Sequence, residues 1–209
     1  MGSKRKRRKS RERIMERQTE FVINILNKNY KTDKYSGYYV ELGARHYKQG
    51  NNTYILEKDY DWKGVGFDIL PEFVEEYNRE RKNPCLLQNA LTFDYLTYFK
   101  ENNFPKQIDF LQVDIDSGYD PKGNPIGNPA ETLLGLISVP LTQYRFSIIT
   151  FEHDANMYHP NIHMREAQRY LLTALDYKLV FRDHFEDWWV DPNVIPIDVF
   201  RHFLHTPHL

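Results

Sequence analysis

Ile108-Asp-Phe-Leu-Gln-Val-Asp-Ile-Asp116 decides the fold. From Ile108 to Ile115 the run is apolar apart from Asp109, Gln112 and Asp114. That is the pattern of a strand buried on both faces, as in a parallel sheet. Alternation points Asp114 and Asp116 to one side of the strand, about 7 Å apart along it. Buried carboxylates are costly unless paired, so two on one side indicate a site, with helix capping or turn formation as the competing role for Asp116.

Working outward, similar short runs alternate with helical patterns. Tyr38-Tyr39-Val40-Glu41-Leu42 reads as a strand ending at Gly43, Val65-Gly66-Phe67 as a second ending in Asp68, and Cys85-Leu86-Leu87 as a third. Phe146–Phe151 follows, closed by Glu152-His153-Asp154, and Tyr177–Phe181 and roughly Trp188–Phe200 supply the last strands. Between them, Thr53–Tyr60 reads as a helix with Asn51 or Asn52 as N-cap. A second helix starts at Pro71, with Phe73, Val74 and Tyr77 turned inward. Phe93–Glu101 is the next, and Asn161–Leu175 another, buried through Met164, Ala167, Leu171 and Leu175. Strands alternating with helices predict an α/β, Rossmann-like doubly wound fold. Its seven-stranded, mostly parallel sheet would carry helices on both faces.

Residues 1–10 form a self-repelling basic block that reads as a disordered tail, and 11–36 as an N-terminal helix with its linker. Ile14, Phe21, Val22 and Ile25 lie on one face of that helix, and the link runs from Asn27 to Ser36. The main domain spans 37–200 and a C-terminal tail 201–209. Nine of the 28 Lys and Arg lie in residues 1–20 against three of the 29 acidic residues, leaving the remainder at net −7. An acidic globular part argues against a broad nucleic-acid footprint on the domain itself. The single Cys85 allows no internal disulfide or cysteine zinc site. With no stretch of about 20 apolar residues and no secretory pattern, the expectation is a cytoplasmic protein, or a nuclear one through its basic run.

In such a fold the chemistry gathers beyond the carboxyl ends of the strands, where the strand order reverses. Glu41 and Gly43 stand at the first strand end, ahead of Asn52 and Thr53. Glycine there allows a tight turn and a close ligand approach, while an ordinary strand–helix turn is the competing reading. Asp68, about 25 residues on, suits the two hydroxyls of a ribose, or else caps the helix opening at Pro71. At the fourth and fifth strand ends stand Asp114, Glu152 and His153. Histidine can remove a hydroxyl proton near neutral pH, and regular alternation turns Glu152 and His153 to opposite sides. Asp114, Asp116, Glu152 and His153 together would also suit Mg²⁺ or Mn²⁺, a minority reading. Ser117–Pro129 carries three prolines and three glycines, so it reads as a long loop, either a lid or binding loop or simply a mobile connection.

Gly37-Tyr-Tyr-Val-Glu-Leu-Gly43, Asn52-Thr53-Tyr-Ile-Leu-Glu57, Asp61-Trp62-Lys-Gly64-Val-Gly66 and Ile108–Asp116 resemble FkbM-type methyltransferases. Tyr144–Asp154, Arg165 and Glu186-Asp-Trp-Trp-Val-Asp-Pro192 continue the likeness in order. The resemblance implies S-adenosylmethionine as cofactor and O-methylation of a small-molecule or carbohydrate acceptor. It places Glu41 and Gly43 beside the methionine part, Asp68 at the ribose, Asn89 and Ala90 at the adenine, and Asp114 at the donor's amine or the reaction centre. His153 is then the base, with Glu152 orienting it or the substrate. The chain departs from the family in its first loop, where Ala44, Arg45, His46 and Tyr47 follow Gly43. Two other functions compete: an RNA- or cap-directed methyltransferase or other nucleic-acid-associated protein using the basic tail, and a Rossmann-like binding module without catalysis.

Overall fold

The computed structural model describes residues 17–115, 130–155 and 161–204. The basic tail, Ile14, Asp116 and the 117–129 loop lie outside the described residues.

Helix α1 covers residues 17–30. The elements that follow are β1 (Tyr38–Leu42), α2 (Tyr54–Tyr60), β2 (Lys63–Asp68), α3 (Pro71–Glu80), β3 (Cys85–Leu87), α4 (Tyr95–Glu101) and β4 (Gln107–Val113). Then come α5 (Glu131–Ser138), β5 (Arg145–Glu152), α6 (Asn161–Ala174), β6 (Lys178–Arg182), β7 (Glu186–Val190) and α7 (Ile197–Leu204). The seven strands form one sheet in the order β3-β2-β1-β4-β5-β7-β6. All pairs from β3 to β5 are parallel, and β7 runs antiparallel to both neighbours. This is the Rossmann-like doubly wound sheet that the strand pattern predicts. Its switch point lies between β1 and β4, the place where such sheets open a crevice.

Alternation along the strands divides the core. Val40, Leu42, Leu111, Val113, Ile149 and Phe151 pack with Tyr95 and Phe99 of α4, Leu136 of α5, and Met164 and Leu172 of α6. Tyr39, Phe110, Ile148, Trp188 and Val190 face the other way, onto Phe21, Val22, Ile25 and Leu26 of α1, Leu56 of α2, and Val199 and Phe200 of α7. Among the described residues, no helix is long and apolar enough to cross a membrane.

Four local readings are corrected. Helix α1 runs through Tyr30, so the link is shorter than 27–36; Asn27 closes it, accepting from the Tyr35 N–H and donating to the Asp33 carbonyl. Neither Asn51 nor Asn52 caps α2; the N-cap is Thr53, whose N–H donates to the Asn51 side chain at 3.1 Å. On α6, Ala167 is exposed while Gln168 is buried, because Gln168 reaches Asp187 of β7. The last strand ends at Val190 rather than Phe200: Asp191 accepts from the Asn193 N–H in a turn, and Phe200 lies in α7, which crosses the expected domain end.

Candidate functional site

β1 and β2 end side by side, and their first loops interlock. The N–H groups of Gly43 and Ala44 both donate to the Phe67 carbonyl at 3.0 Å. Gly43 has φ +84°, and a Cβ there would stand 1.9 Å from the Asp114 carbonyl oxygen. Only glycine fits this turn, for backbone conformation and for space. Asp68, half-buried at the end of β2, accepts from the Arg45 N–H at 2.8 Å and the Leu70 N–H at 2.9 Å. Each carboxylate oxygen has two lone-pair sites, so the two backbone bonds leave acceptor capacity on both. Around Asp68 stand large exposed apolar side chains: Ile69 at 65%, Leu70 at 43% and Leu87, its register partner on β3, at 49%. The sequence reading passed over them. Their signal is an apolar pair immediately after Asp68, where a helix entrance is usually polar. Asn89 is exposed and accepts from the Leu91 N–H, while Ala90 is buried with its carbonyl bonded by the Tyr95 hydroxyl.

Glu41 is almost wholly buried and accepts from Asn51 Nδ2 at 3.0 Å and Thr53 Oγ1 at 2.8 Å. Burial pushes its pKa up to about 7, although Arg81 and these two hydrogen bonds favour the anion. Arg81 organises the whole corner. It donates to Glu57 at 2.8 Å in a buried ion pair, and to the Tyr47 carbonyl, Asn51, the Tyr39 hydroxyl and Thr53. Asn52 turns toward α1: its carbonyl accepts from the Thr19 hydroxyl, and its buried side-chain oxygen has no hydrogen-bond partner among the described residues. Thr53 therefore supports Glu41, and Arg81, named by no sequence pattern, supports Thr53.

Across the switch point, the Asp114 N–H donates to the Leu42 carbonyl at 3.0 Å. On β5, Glu152 is half-buried and directly opposite Glu186 of β7. By alternation Asp114, Glu152 and Glu186 share the sheet face of Glu41 and Gln112. Glu186 is 1% exposed, and burial raises its pKa well above the usual carboxylate range, with Asp183 and Asp114 adding to the effect. The sequence reading gave Glu186 no role; an acidic pair, Glu186-Asp187, set between Phe185 and two tryptophans was the available signal. Among the described residues no group of three His, Cys, Asp or Glu side chains is placed to hold a metal ion. Of the set read for Mg²⁺ or Mn²⁺, Asp116 lies outside those residues.

His153 lies on the opposite side from Glu152, as alternation requires, and is buried. Its Nδ1 accepts from the Ala155 N–H at 3.1 Å, which leaves the proton on Nε2, 3.7 Å from Asp187 Oδ1. Asp187 also accepts from Gln168 at 2.5 Å and from both Nε and Nη2 of Arg169 at 2.7 and 2.8 Å. Burial alone would raise the Asp187 pKa; Arg169 and His153 outweigh it and hold the carboxyl below its usual range. With its lone pair committed to Ala155, the imidazole offers no acceptor toward the sheet edge. It ties the end of β5 to β7 and α6.

Fold and site together define a Rossmann-like α/β domain whose polar residues gather along the carboxyl edge of its parallel strands. No family model matches the chain, and no curated protein matches it. Among solved structures it is similar to a SAM dependent methyltransferase from Archaeoglobus fulgidus, at 15% identity and a TM-score of 0.46, over 80% of this chain and 69% of that one. It is also similar to N-methyltransferase NodS from Bradyrhizobium japonicum WM9, at 9% identity and a TM-score of 0.47, over 85% of this chain and 97% of that one.

Proposed function

We propose that this chain is an S-adenosylmethionine-dependent methyltransferase acting on a hydroxyl of a sugar or other small molecule. The observation that carries the reading is the surround of Asp68. A carboxylate with spare acceptor capacity closes β2, exposed Ile69 and Leu87 flank it, and the Gly43 turn lies one strand away. A ribose diol suits the carboxylate, and the apolar side chains suit the faces of a flat purine. Glu41 suits an ammonium, which would favour its ionised form. The ordered resemblance of its motifs to those of FkbM-type methyltransferases supports the same reading.

The bound group would supply an electrophilic methyl on a sulfonium centre. This chain would supply position, holding the acceptor in line beside Asp114 at the switch point, where orientation contributes much of the rate. Asp114 and Glu152, at neighbouring strand ends, are the groups we assign to receive the acceptor proton; His153 is assigned to holding the β5 end. Incubating the full chain with S-adenosylmethionine carrying a deuterated methyl and a set of sugars tests the reading by mass spectrometry. A labelled ether, lost with Asp68→Asn, is the expected product. Label transferred to amines instead would overturn the hydroxyl assignment, and no turnover with any acceptor class would count against the enzyme.

A further inference from the structure

Helix α3 ends at Arg81, whose N–H still donates to the Tyr77 carbonyl while its backbone turns extended. The turn sends the side chain back beneath the first loop and the start of α2, where it is 2% exposed. A guanidinium carries five N–H donors in one rigid plane. Here all five are used: Nε on Glu57, Nη1 on the Tyr47 carbonyl and Asn51 Oδ1, and Nη2 on the Tyr39 hydroxyl and Thr53 Oγ1. The Tyr77 ring covers the plane at 4.5 Å. Glu57 is anchored in its turn, accepting from the Lys82 N–H at 2.7 Å and Asn83 Nδ2 at 3.0 Å.

Two of the five acceptors belong to the residues that donate to Glu41. An asparagine amide fits its space either way round and a threonine hydroxyl rotates, so neither fixes by itself which atom it presents. Arg81 decides both. Its N–H on Asn51 Oδ1 turns the Nδ2 end toward Glu41 Oε2 and the Ala44 carbonyl, each at 3.0 Å. Its N–H on Thr53 Oγ1 at 3.2 Å directs the hydroxyl proton away from the guanidinium. That proton has two acceptors in reach, and Glu41 Oε2 at 2.8 Å is nearer than Asn51 Oδ1, which Arg81 already serves. Both hydrogen bonds fall on Oε2; among the described residues none reaches Oε1.

Charge points the same way. Glu41 and Glu57 are both buried beside one guanidinium, and Glu57 takes the direct ion pair. Besides Arg81, the groups facing Glu41 are Tyr39 of β1, Tyr77 of α3, Cys85 of β3 and Asp114 beyond β4. Burial pushes the two phenols and the thiol up, so they stay neutral, and Asp114 opposes the Glu41 anion. Burial therefore holds the Glu41 pKa at about 7, with Arg81 the largest opposing influence. We propose that Arg81 is a positioning residue for the methyl donor: it aims Asn51 and Thr53 at one oxygen of Glu41 and so readies that carboxyl to ionise against an arriving ammonium. This rests on the reading of Glu41 given above. The ammonium supplies the contacting cation that Glu57 takes from the shared arginine. Donor binding then releases the Glu41 proton to solvent, and donor affinity climbs as pH rises toward 7.

The test uses the full chain with its glutamates ¹³C-labelled at Cδ, the Glu41 signal being assigned by Glu41→Gln. Without ligand, that signal is expected to titrate near pH 7. In Arg81→Lys, which keeps the charge and loses the planar fork, the midpoint is expected about one pH unit higher. Thr53→Val is expected to act likewise, and Thr53→Ser to restore the parent midpoint. Calorimetry with S-adenosylmethionine then runs from pH 5.5 to 7.5, below the ordinary α-amino pKa of about 7.7–8.0. Across that window parent affinity is expected to climb about tenfold or more, and Glu41→Gln to show no such climb. At pH 7, Arg81→Lys and Thr53→Val are each expected to bind about tenfold more weakly. An arginine that merely braces the fold would lower the melting temperature and leave midpoint and pH profile alone, and that result overturns the proposal. If Arg81→Lys does not fold, an unmoved midpoint in Thr53→Val overturns it equally. Moved midpoints in a chain that ignores S-adenosylmethionine would keep the hold of Arg81 on Glu41 and sink the methyltransferase reading; binding with unmoved midpoints would do the opposite.

Discussion

The carbonyl oxygen of Asp114 occupies the place where a side chain on Gly43 would begin. The two strands flanking the switch point are thus pressed together by a backbone contact that only one residue type permits. Gly43→Ala must relieve both a positive φ and a clash with backbone. We expect a stability loss of about 2 kcal/mol or more, read from urea denaturation. A variant as stable as the parent would show that the turn is not held as described.

Arg81 and Glu57 form an ion pair whose side chains are 2% and 7% exposed. Removing one partner strands the other charge in the interior. Arg81→Met should therefore cost about 3–5 kcal/mol in denaturant unfolding. Lys82→Met next to it, whose ion pair is almost fully exposed, should change little.

Glu41 has a folded pKa of about 7 against an ordinary 4.5. A raised carboxyl pKa means that the folded state holds its proton more tightly than the unfolded chain does. Its contribution is full below pH 4.5, declines as pH rises to about 7, and is constant beyond. Glu41→Gln should therefore gain stability relative to the parent by about 3 kcal/mol between pH 4 and pH 8. Thermal melts of both proteins across that range provide the check. A difference independent of pH would mean that Glu41 titrates normally.

His153 and Asp187 make a prediction about what does not change. If His153 only braces the β5 end, His153→Gln should lower stability by about 1 kcal/mol. It should also leave cofactor affinity within about twofold. A turnover rate that lost its dependence on pH near neutrality in this variant would instead restore the histidine as the base.

The sheet was legible because its strands are short apolar runs, most of them stopped by a glycine or a carboxylate. Leu42-Gly43, Phe67-Asp68 and Val113-Asp114 fix three strand ends, and so the edge on which the candidate residues gather. The last strand was misread since Trp188 to Phe200 is mostly apolar, broken only by Asp191, Asn193 and Asp198 among its prolines; the Asp191 turn divides strand from helix. Arg81 was not legible at all. It reaches Glu57 and Thr53 from the end of α3, a contact that no local pattern announces. Glu186 escaped for a related reason: its partner Glu152 belongs to a strand 34 residues earlier, running the other way.

Calorimetric titration of the full chain with S-adenosylmethionine, beside NAD and an Asp68→Asn variant, tests the reading most directly. We expect micromolar binding of S-adenosylmethionine, no heat with NAD, and a loss of about 1.4–2.8 kcal/mol, ten- to a hundredfold in affinity, in the variant. Absence of binding at millimolar S-adenosylmethionine, or binding of NAD in its place, would contradict it.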